Sequence, residues 1–304
     1  MTLHTLYNTI AQTLSPLYGE GEAQAIARLV LETQCQATMT DILLDRPAQD
    51  WNPHILKRLQ EGEPVQYVLG EASFCGHRIM VAPGVLIPRP ETEALVQEIS
   101  TNGGAGSGLQ GAGRGLHILD VCTGSGCIAL AYKHLYPEAY VEAWDISPEA
   151  LTIAERNFRL HGLDITLRQV DLLDPSTYPT AAPLVSTSQP DGGSSPKGER
   201  GGGFTHIVSN PPYVLSSERT DMEAHVLEHE PELALFVPDE DPLLFYRPLA
   251  QLAMSALLHG GTIMVECNTA YVDAVADCFR HAGLIHVTTL PDCFGLPRFV
   301  RGRK

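Results

Sequence analysis

Leu116-His117-Ile118-Leu119-Asp120-Val121 runs directly into Cys122-Thr123-Gly124-Ser125-Gly126, an apolar stretch that ends on glycines. The apolar run predicts a buried strand, and the segment from about Cys127 to Leu135 predicts the helix that follows the turn. Glycines at a strand-to-helix turn let the backbone approach a ligand, and Asp120 at the strand end can accept from an ammonium. The alternation repeats outward. Tyr140 to Ala143 predicts a second strand ending at Trp144-Asp145, Pro148 to His161 a helix stopped by Gly162, and Ile165 to Val170 a third strand leading to Asp171-Leu172. Further strands are read at Phe204 to Val208, Thr262 to Cys267, Leu284 to Leu290 and Arg298 to Arg301. Helices are read at Asp241 to Leu258 and Tyr271 to His281. Strands alternating with helices predict an α/β fold with a doubly wound, mostly parallel sheet and its site at the strand carboxyl ends.

Each strand end carries chemistry. An acid at a second strand's tip commonly takes a ribose hydroxyl pair, which makes Asp145 a candidate. Asp171 with Leu172, at the third, suits an adenine amino group and its ring. Gly124 to Ala129 also fits the dinucleotide pattern GxGxx(G/A), so a nicotinamide-dependent oxidoreductase or a non-catalytic nucleotide-binding module shares these signals. Neither explains Asn210-Pro211-Pro212-Tyr213, which follows the strand ending at Val208. Two prolines remove two backbone donors, and Pro211 pushes Asn210 toward extended backbone. The Asn210 side-chain oxygen beside free carbonyls can hold the two N–H groups of a planar amine or amide, and the Tyr213 ring offers a stacking face. In Leu86-Ile87-Pro88-Arg89-Pro90-Glu91-Thr92-Glu93, two prolines bracket an extended Arg89 that can point at a ligand, ahead of a helix running to Ile99.

The remainder of the chain sets limits. With 304 residues, 44% hydrophobic and 18% charged, there is room for one large domain and a small one. Residues 1–72 read as helices: Leu3, Leu6, Ile10 and Leu14, then Ala23, Ile26 and Val30, repeat at helical spacing, and His54 to Gln60 forms a third segment. Ser73 to Cys75 and Arg78 to Val81, flanking Gly76-His77, predict a hairpin, after which residues 73–304 form the larger domain. Two stretches rich in Gly, Pro and Ser, about 101–115 and 176–203, read as flexible insertions. A net charge of -16 argues against broad nucleic-acid binding. No signal pattern or membrane span is read, so the expected location is cytoplasmic. The seven cysteines show no metal-ligand spacing and read as reduced, mostly buried thiols, and no metal is expected.

Together these motifs resemble the class I methyltransferases that use S-adenosylmethionine and act on planar amino groups. Glu63-Pro64-Val65-Gln66-Tyr67-Val68-Leu69-Gly70, Leu86 to Glu93, Asn210 to Tyr213, and Glu230-Pro231 with Ala234-Leu235 resemble, more narrowly, the HemK/PrmC family. That family methylates the glutamine of the Gly-Gly-Gln loop in peptide chain release factors. The resemblance implies a seven-stranded sheet and a substrate-recognition role for the helical domain 1–72. It implies cofactor contacts from Asp120, Cys122, Thr123, Gly124, Ser125, Gly126, Asp145, Asp171, Leu172 and Asn210. It places the glutamine amide against Asn210, Pro211, Pro212 and Tyr213, with Arg89 nearby. Cys122 stands where the family usually has glycine. The rival amino-methyltransferases of adenine or cytosine require a basic, aromatic target-recognition region, which this chain does not show.

Overall fold

The computed structural model describes residues 1–102, 115–179 and 203–304. Contacts divide them into two units. The first holds Met1–Ala72, Val81–Pro83 and Asp221–Glu230; the second holds Ser73–Met80, Gly84–Thr220 and Pro231–Lys304.

In the first unit, α1 (Leu3–Tyr18) and α2 (Glu20–Gln34) bury Leu6, Ile10, Leu14, Ala27, Val30 and Leu31 against one another. Three short helices of its N-terminal stretch join them, α3 (Met39–Leu43), α4 (His54–Gln60) and α5 (Val65–Leu69), and the later helix Ala224–His229 belongs to the same unit. Sequence periodicity missed α3 and α5, each of five residues, because one turn and a half is too short to show a period. The signal for α3 was a cap. Thr38 Oγ1 accepts from the Asp41 N–H (3.2 Å) while Asp41 Oδ2 accepts from the Thr38 N–H (2.9 Å).

In chain order there follow β1 (Glu71–Phe74), β2 (His77–Met80), α6 (Pro90–Asn102), β3 (His117–Val121), α7 (Cys127–Leu135), β4 (Tyr140–Asp145), α8 (Pro148–Leu160), β5 (Thr166–Gln169), β6 (Phe204–Ser209), β7 (Val214–Leu215), α9 (Ala224–His229) and α10 (Glu232–Leu235). The chain closes with β8 (Phe236–Val237), α11 (Tyr246–Ala256), β9 (Leu257–Glu266), α12 (Val272–Ala282), β10 (Ile285–Pro291) and β11 (Pro297–Arg303). Seven strands form one sheet in the order β10-β11-β9-β6-β3-β4-β5. β3, β4, β5, β6 and β9 run parallel, and β11 pairs antiparallel with both β9 and β10. This is the expected doubly wound architecture.

The order reverses between β3 and β6, where Val121 pairs with Ser209. The residues that follow, Cys122 and Asn210, therefore leave the sheet side by side at the topological switch point, where such sheets open a crevice. Both strands are buried along their whole length, so one apolar run specifies each.

Several boundaries differ from expectation. The hairpin turn is Cys75-Gly76, both at positive φ (48° and 77°), and His77 belongs to β2. The helix expected from Asp241 begins at Tyr246, because Asp241, Leu244 and Tyr246 close successive i→i−3 turns onto Pro238, Asp241 and Leu243. It ends at Ala256, and Leu257, paired with Phe204, starts β9 well before Thr262. The stretch expected to be flexible from 176 begins as an ordered 3-10 turn, Pro175–Thr177, with Tyr178 packed on the core and its hydroxyl on the Leu172 carbonyl (2.7 Å). Likewise α6 continues to Asn102. The remainder of both stretches lies outside the described residues. All seven cysteines are free, but only Cys127 and Cys267 are fully buried and Cys293 is exposed. Burial raises the pKa of the Cys75, Cys127 and Cys267 thiols to about 12, leaving them protonated. Among the described residues, no helix is long and apolar enough to cross a membrane.

Candidate active site

At the carboxyl ends of β3, β4, β5 and β6 lies a cavity of about 400 Å³, within the range of small-molecule sites, about 300–1,000 Å³. Of the residues expected to form a site, Cys122, Thr123, Gly124, Ser125, Asp145, Asp171, Leu172, Asn210, Pro212 and Arg89 line it. Asp120, Gly126, Pro211 and Tyr213 do not.

The glycine loop is held from below and from the side. Asp120, wholly buried at the end of β3, accepts from Thr123 Oγ1 (2.6 Å) and the Ala129 N–H (3.1 Å) with one oxygen. Its other oxygen has no hydrogen-bond partner, and burial pushes its carboxyl up to about 7. Asp120 therefore braces the loop rather than facing the cavity. Gly126 has φ of 80°, and a Cβ there would meet the Phe158 ring at 2.7 Å, so α8 can approach only glycine. At Gly124 (φ 55°), which lines the cavity, an added Cβ would meet no protein atom within 4 Å. That is room for a ligand beside the backbone. Cys122 carries φ of 60°, the left-handed region that glycine adopts without strain and other residues rarely enter.

At the tip of β4, Asp145 Oδ2 accepts from the Gly124 N–H (2.8 Å) and Oδ1 from the Ser147 N–H (3.0 Å). Burial raises its pKa despite these bonds. Ser147 then caps α8, accepting from the Ala150 N–H (3.1 Å) ahead of Pro148. Asp145 thus sits where loop, strand and helix meet, with lone pairs left for a ligand hydroxyl. After β5, Asp171 Oδ1 accepts from the Leu173 N–H (2.8 Å), and Thr177 closes the turn by donating to the Asp171 carbonyl (3.0 Å). Leu172, buried, and Trp144 add an apolar wall. A polar acceptor, a strand-tip carboxylate and a flat apolar slot fit an adenosine.

After β6 comes a network that sequence reasoning missed. Asn210 Nδ2 donates to Thr92 Oγ1 (3.1 Å), and Thr92 Oγ1 donates to Glu266 Oε2 (2.8 Å). Tyr213 donates its hydroxyl to Glu266 Oε1 (3.0 Å). Tyr213 therefore fastens the tetrapeptide to the end of β9, in place of the stacking face expected of it. Glu266 is 1% exposed, and burial pushes its carboxyl up to about 7. It reaches this position because Ser209 pairs with Val265 in parallel register, so the next residues, Asn210 just past β6 and Glu266 at the end of β9, meet at the same rim. The only sequence signal for Glu266 was an acid at the end of an apolar run. Thr92 was quoted as part of the Leu86 to Glu93 motif without a role. The network fixes the Asn210 carboxamide: with Nδ2 committed to Thr92, Oδ1 remains an acceptor at the cavity.

Comparison with known proteins adds an independent line. A methyltransferase domain profile matches residues 118–188. A release factor glutamine methyltransferase of Bacteroides thetaiotaomicron is 38% identical over 301 residues, spanning 97% of this chain and 98% of that one. One from Flavobacterium psychrophilum is 32% identical over 307 residues, 99% of both chains. Among solved structures, a release factor-specific protein-(glutamine-N5) methyltransferase from Alicyclobacillus acidocaldarius aligns at 26% identity and a TM-score of 0.40, covering 74% of this chain and 98% of that one.

Proposed function

The chain belongs to the release factor glutamine methyltransferases, and from that premise we propose how its residues carry the reaction. It is an enzyme that methylates the side-chain amide nitrogen of a release-factor glutamine using S-adenosylmethionine. We take the target to be the glutamine of the Gly-Gly-Gln loop, and assign recognition of the release factor to residues 1–72.

When bound, S-adenosylmethionine supplies a methyl group on an electron-poor sulfonium. The loop Cys122 to Ser125 is assigned to its amino-acid end, Asp145 to the ribose hydroxyls, and Asp171 with Leu172 to the adenine. An amide nitrogen is a weak nucleophile because its lone pair is delocalised into the carbonyl. The protein must therefore hold it in line and draw on its N–H bonds, which raises electron density at nitrogen. We assign one N–H to Asn210 Oδ1, at the cavity, and the other to the carbonyl of Pro211, which lies next to it in the chain but is not itself part of the cavity lining. Pro212 closes the cavity wall beside them, and Arg89 stands at its rim. After transfer the nitrogen is strongly acidic and loses its proton to solvent, so no buried base is needed.

The observation that carries this reading is the bond from Asn210 Nδ2 to Thr92, which leaves the oxygen and not the nitrogen of Asn210 for an N–H donor. An amino group on a nucleic-acid base presents the same two hydrogens, but a net charge of -16 disfavours a phosphate-rich substrate. Intact-mass spectrometry after incubation with S-adenosylmethionine separates them. A release factor should gain one methyl group, lost when its loop glutamine is replaced, while free glutamine and a DNA oligonucleotide gain none. Methylation of the oligonucleotide, or none of the factor, overturns the reading.

A further inference from the structure

Three histidines far apart in sequence meet on the second unit. His77 lies on β2, His134 near the end of α7 and His161 just past α8. All are half-buried, and one ring nitrogen of each lies within 4.8 Å of the other two. We propose that His77, His134 and His161 form a metal site for a zinc-like divalent cation that pins the hairpin to helices α7 and α8.

The geometry of one edge already matches. Two nitrogens bound at about 2.0–2.1 Å on a tetrahedral ion stand roughly 3.3 Å apart, and His134 Nε2 is 3.2 Å from His161 Nδ1. His161 Nε2 is 2.7 Å from the Arg78 carbonyl oxygen, which can only accept, so the ring proton is on Nε2 and Nδ1 carries a lone pair that accepts from His134 Nε2 without an ion and turns to the ion once His134 moves its proton to Nδ1. A carbonyl behind a ligating imidazole is the usual support that fixes its tautomer and orientation. His77 stacks on His134 at 4.0 Å between ring centres and 11° between planes; because an imidazole lone pair lies in its ring plane, sharing one ion requires His77 to turn out of this stack, over a nitrogen separation of at most 4.8 Å.

The hairpin is independently tied to α8, since Asn157 accepts from the Met80 N–H (2.7 Å) and donates to the Met80 carbonyl (3.0 Å). The frame that carries His77 and His161 therefore exists without the metal. Three imidazoles leave a fourth position for water. Soft thiolate-loving ions are disfavoured, because no cysteine belongs to the cluster.

The test uses the untagged full chain, stripped with a chelator, titrated with zinc chloride alone and followed by calorimetry and thermal melting. One equivalent should bind, and zinc at about a hundredfold excess over its dissociation constant should raise Tm by roughly 5–10 °C. His77→Ala, His134→Ala and His161→Ala should each lose at least about tenfold in affinity. His161→Gln, which retains a donor for the Arg78 carbonyl, serves where alanine fails to fold. His286→Ala, at a distant position, should bind as the unaltered chain does. Cobalt(II) should give the visible spectrum of a tetrahedral site, lost in the same variants. Absence of saturable one-to-one binding, or binding that survives both His77→Ala and His161→Gln, overturns the proposal.

Discussion

Thr92→Val isolates the claim that the Asn210 carboxamide is oriented by the protein. Valine matches threonine in shape but removes the oxygen that accepts from Asn210 Nδ2 and donates to Glu266 Oε2. In the unaltered enzyme the Thr92 proton is committed to the carboxylate, so a flipped Asn210 would set its oxygen against another lone pair. That penalty, together with the lost Nδ2 bond, is about 1–3 kcal/mol, the usual cost of leaving a buried polar group unpaired. At 1.36 kcal/mol per tenfold, single-turnover methylation of a release factor should slow by roughly 5- to 150-fold. S-adenosylmethionine affinity should change little, since Asp145 and the glycine loop remain. Thr92→Ser restores the oxygen and should restore the rate. Asn210→Ala, which removes the acceptor itself, should be slower still, by about 100- to 1000-fold. A folded Thr92→Val enzyme turning over within twofold of the unaltered one would refute the argument, as would Thr92→Ser failing alongside it.

Asp145→Ala should weaken S-adenosylmethionine binding by roughly 10- to 150-fold, from about 1.5–3 kcal/mol of charge-assisted hydrogen bonding to the ribose. Calorimetry on the folded variant reads it directly, and unchanged affinity removes Asp145 from the site. Gly126→Ala should lower Tm by several degrees, because the added carbon meets the Phe158 ring at 2.7 Å and φ is 80°. Pairing it with Phe158→Leu should recover part of the loss. Glu266 gives two opposed pH dependences. Its folded pKa of about 7 lies above the ordinary 4.5, so the native state binds the extra proton, and its contribution to stability is full below about pH 4.5 and is lost as pH rises through 7. The reaction needs the acceptor-only carboxylate that keeps the Thr92 proton, so single-turnover rate should fall as pH drops below 7. Glu266→Gln should flatten the rate profile. Because Asp120 shifts the same way, the stability effect is read as the difference between Glu266→Gln and the unaltered chain across pH 4.5–7. A rate profile that keeps its slope in Glu266→Gln assigns the titration elsewhere.

The sequence by itself determined the alternation of strands and helices along the chain, the glycine turn after β3 and the acids at the tips of β4 and β5. Those are local facts: an apolar run long enough for one strand, a cap, a glycine where φ must be positive. The same locality explains the errors. Short elements such as α3 and β7 show no period, and the start of α11 depends on turns that compete with helix over a few residues. Tertiary structure alone decided which of the candidate residues face the cavity. Asp120 and Gly126 are beneath the loop, and Tyr213 is turned to Glu266. It also decided which residues orient Asn210, since Thr92 and Glu266 are 174 positions apart, and gathered three histidines with no ligand spacing between them. Parallel register is the physical reason: pairing Val121 with Ser209 and Ser209 with Val265 brings the ends of β3, β6 and β9 to one rim, and no local pattern in the chain encodes which strand lies beside which.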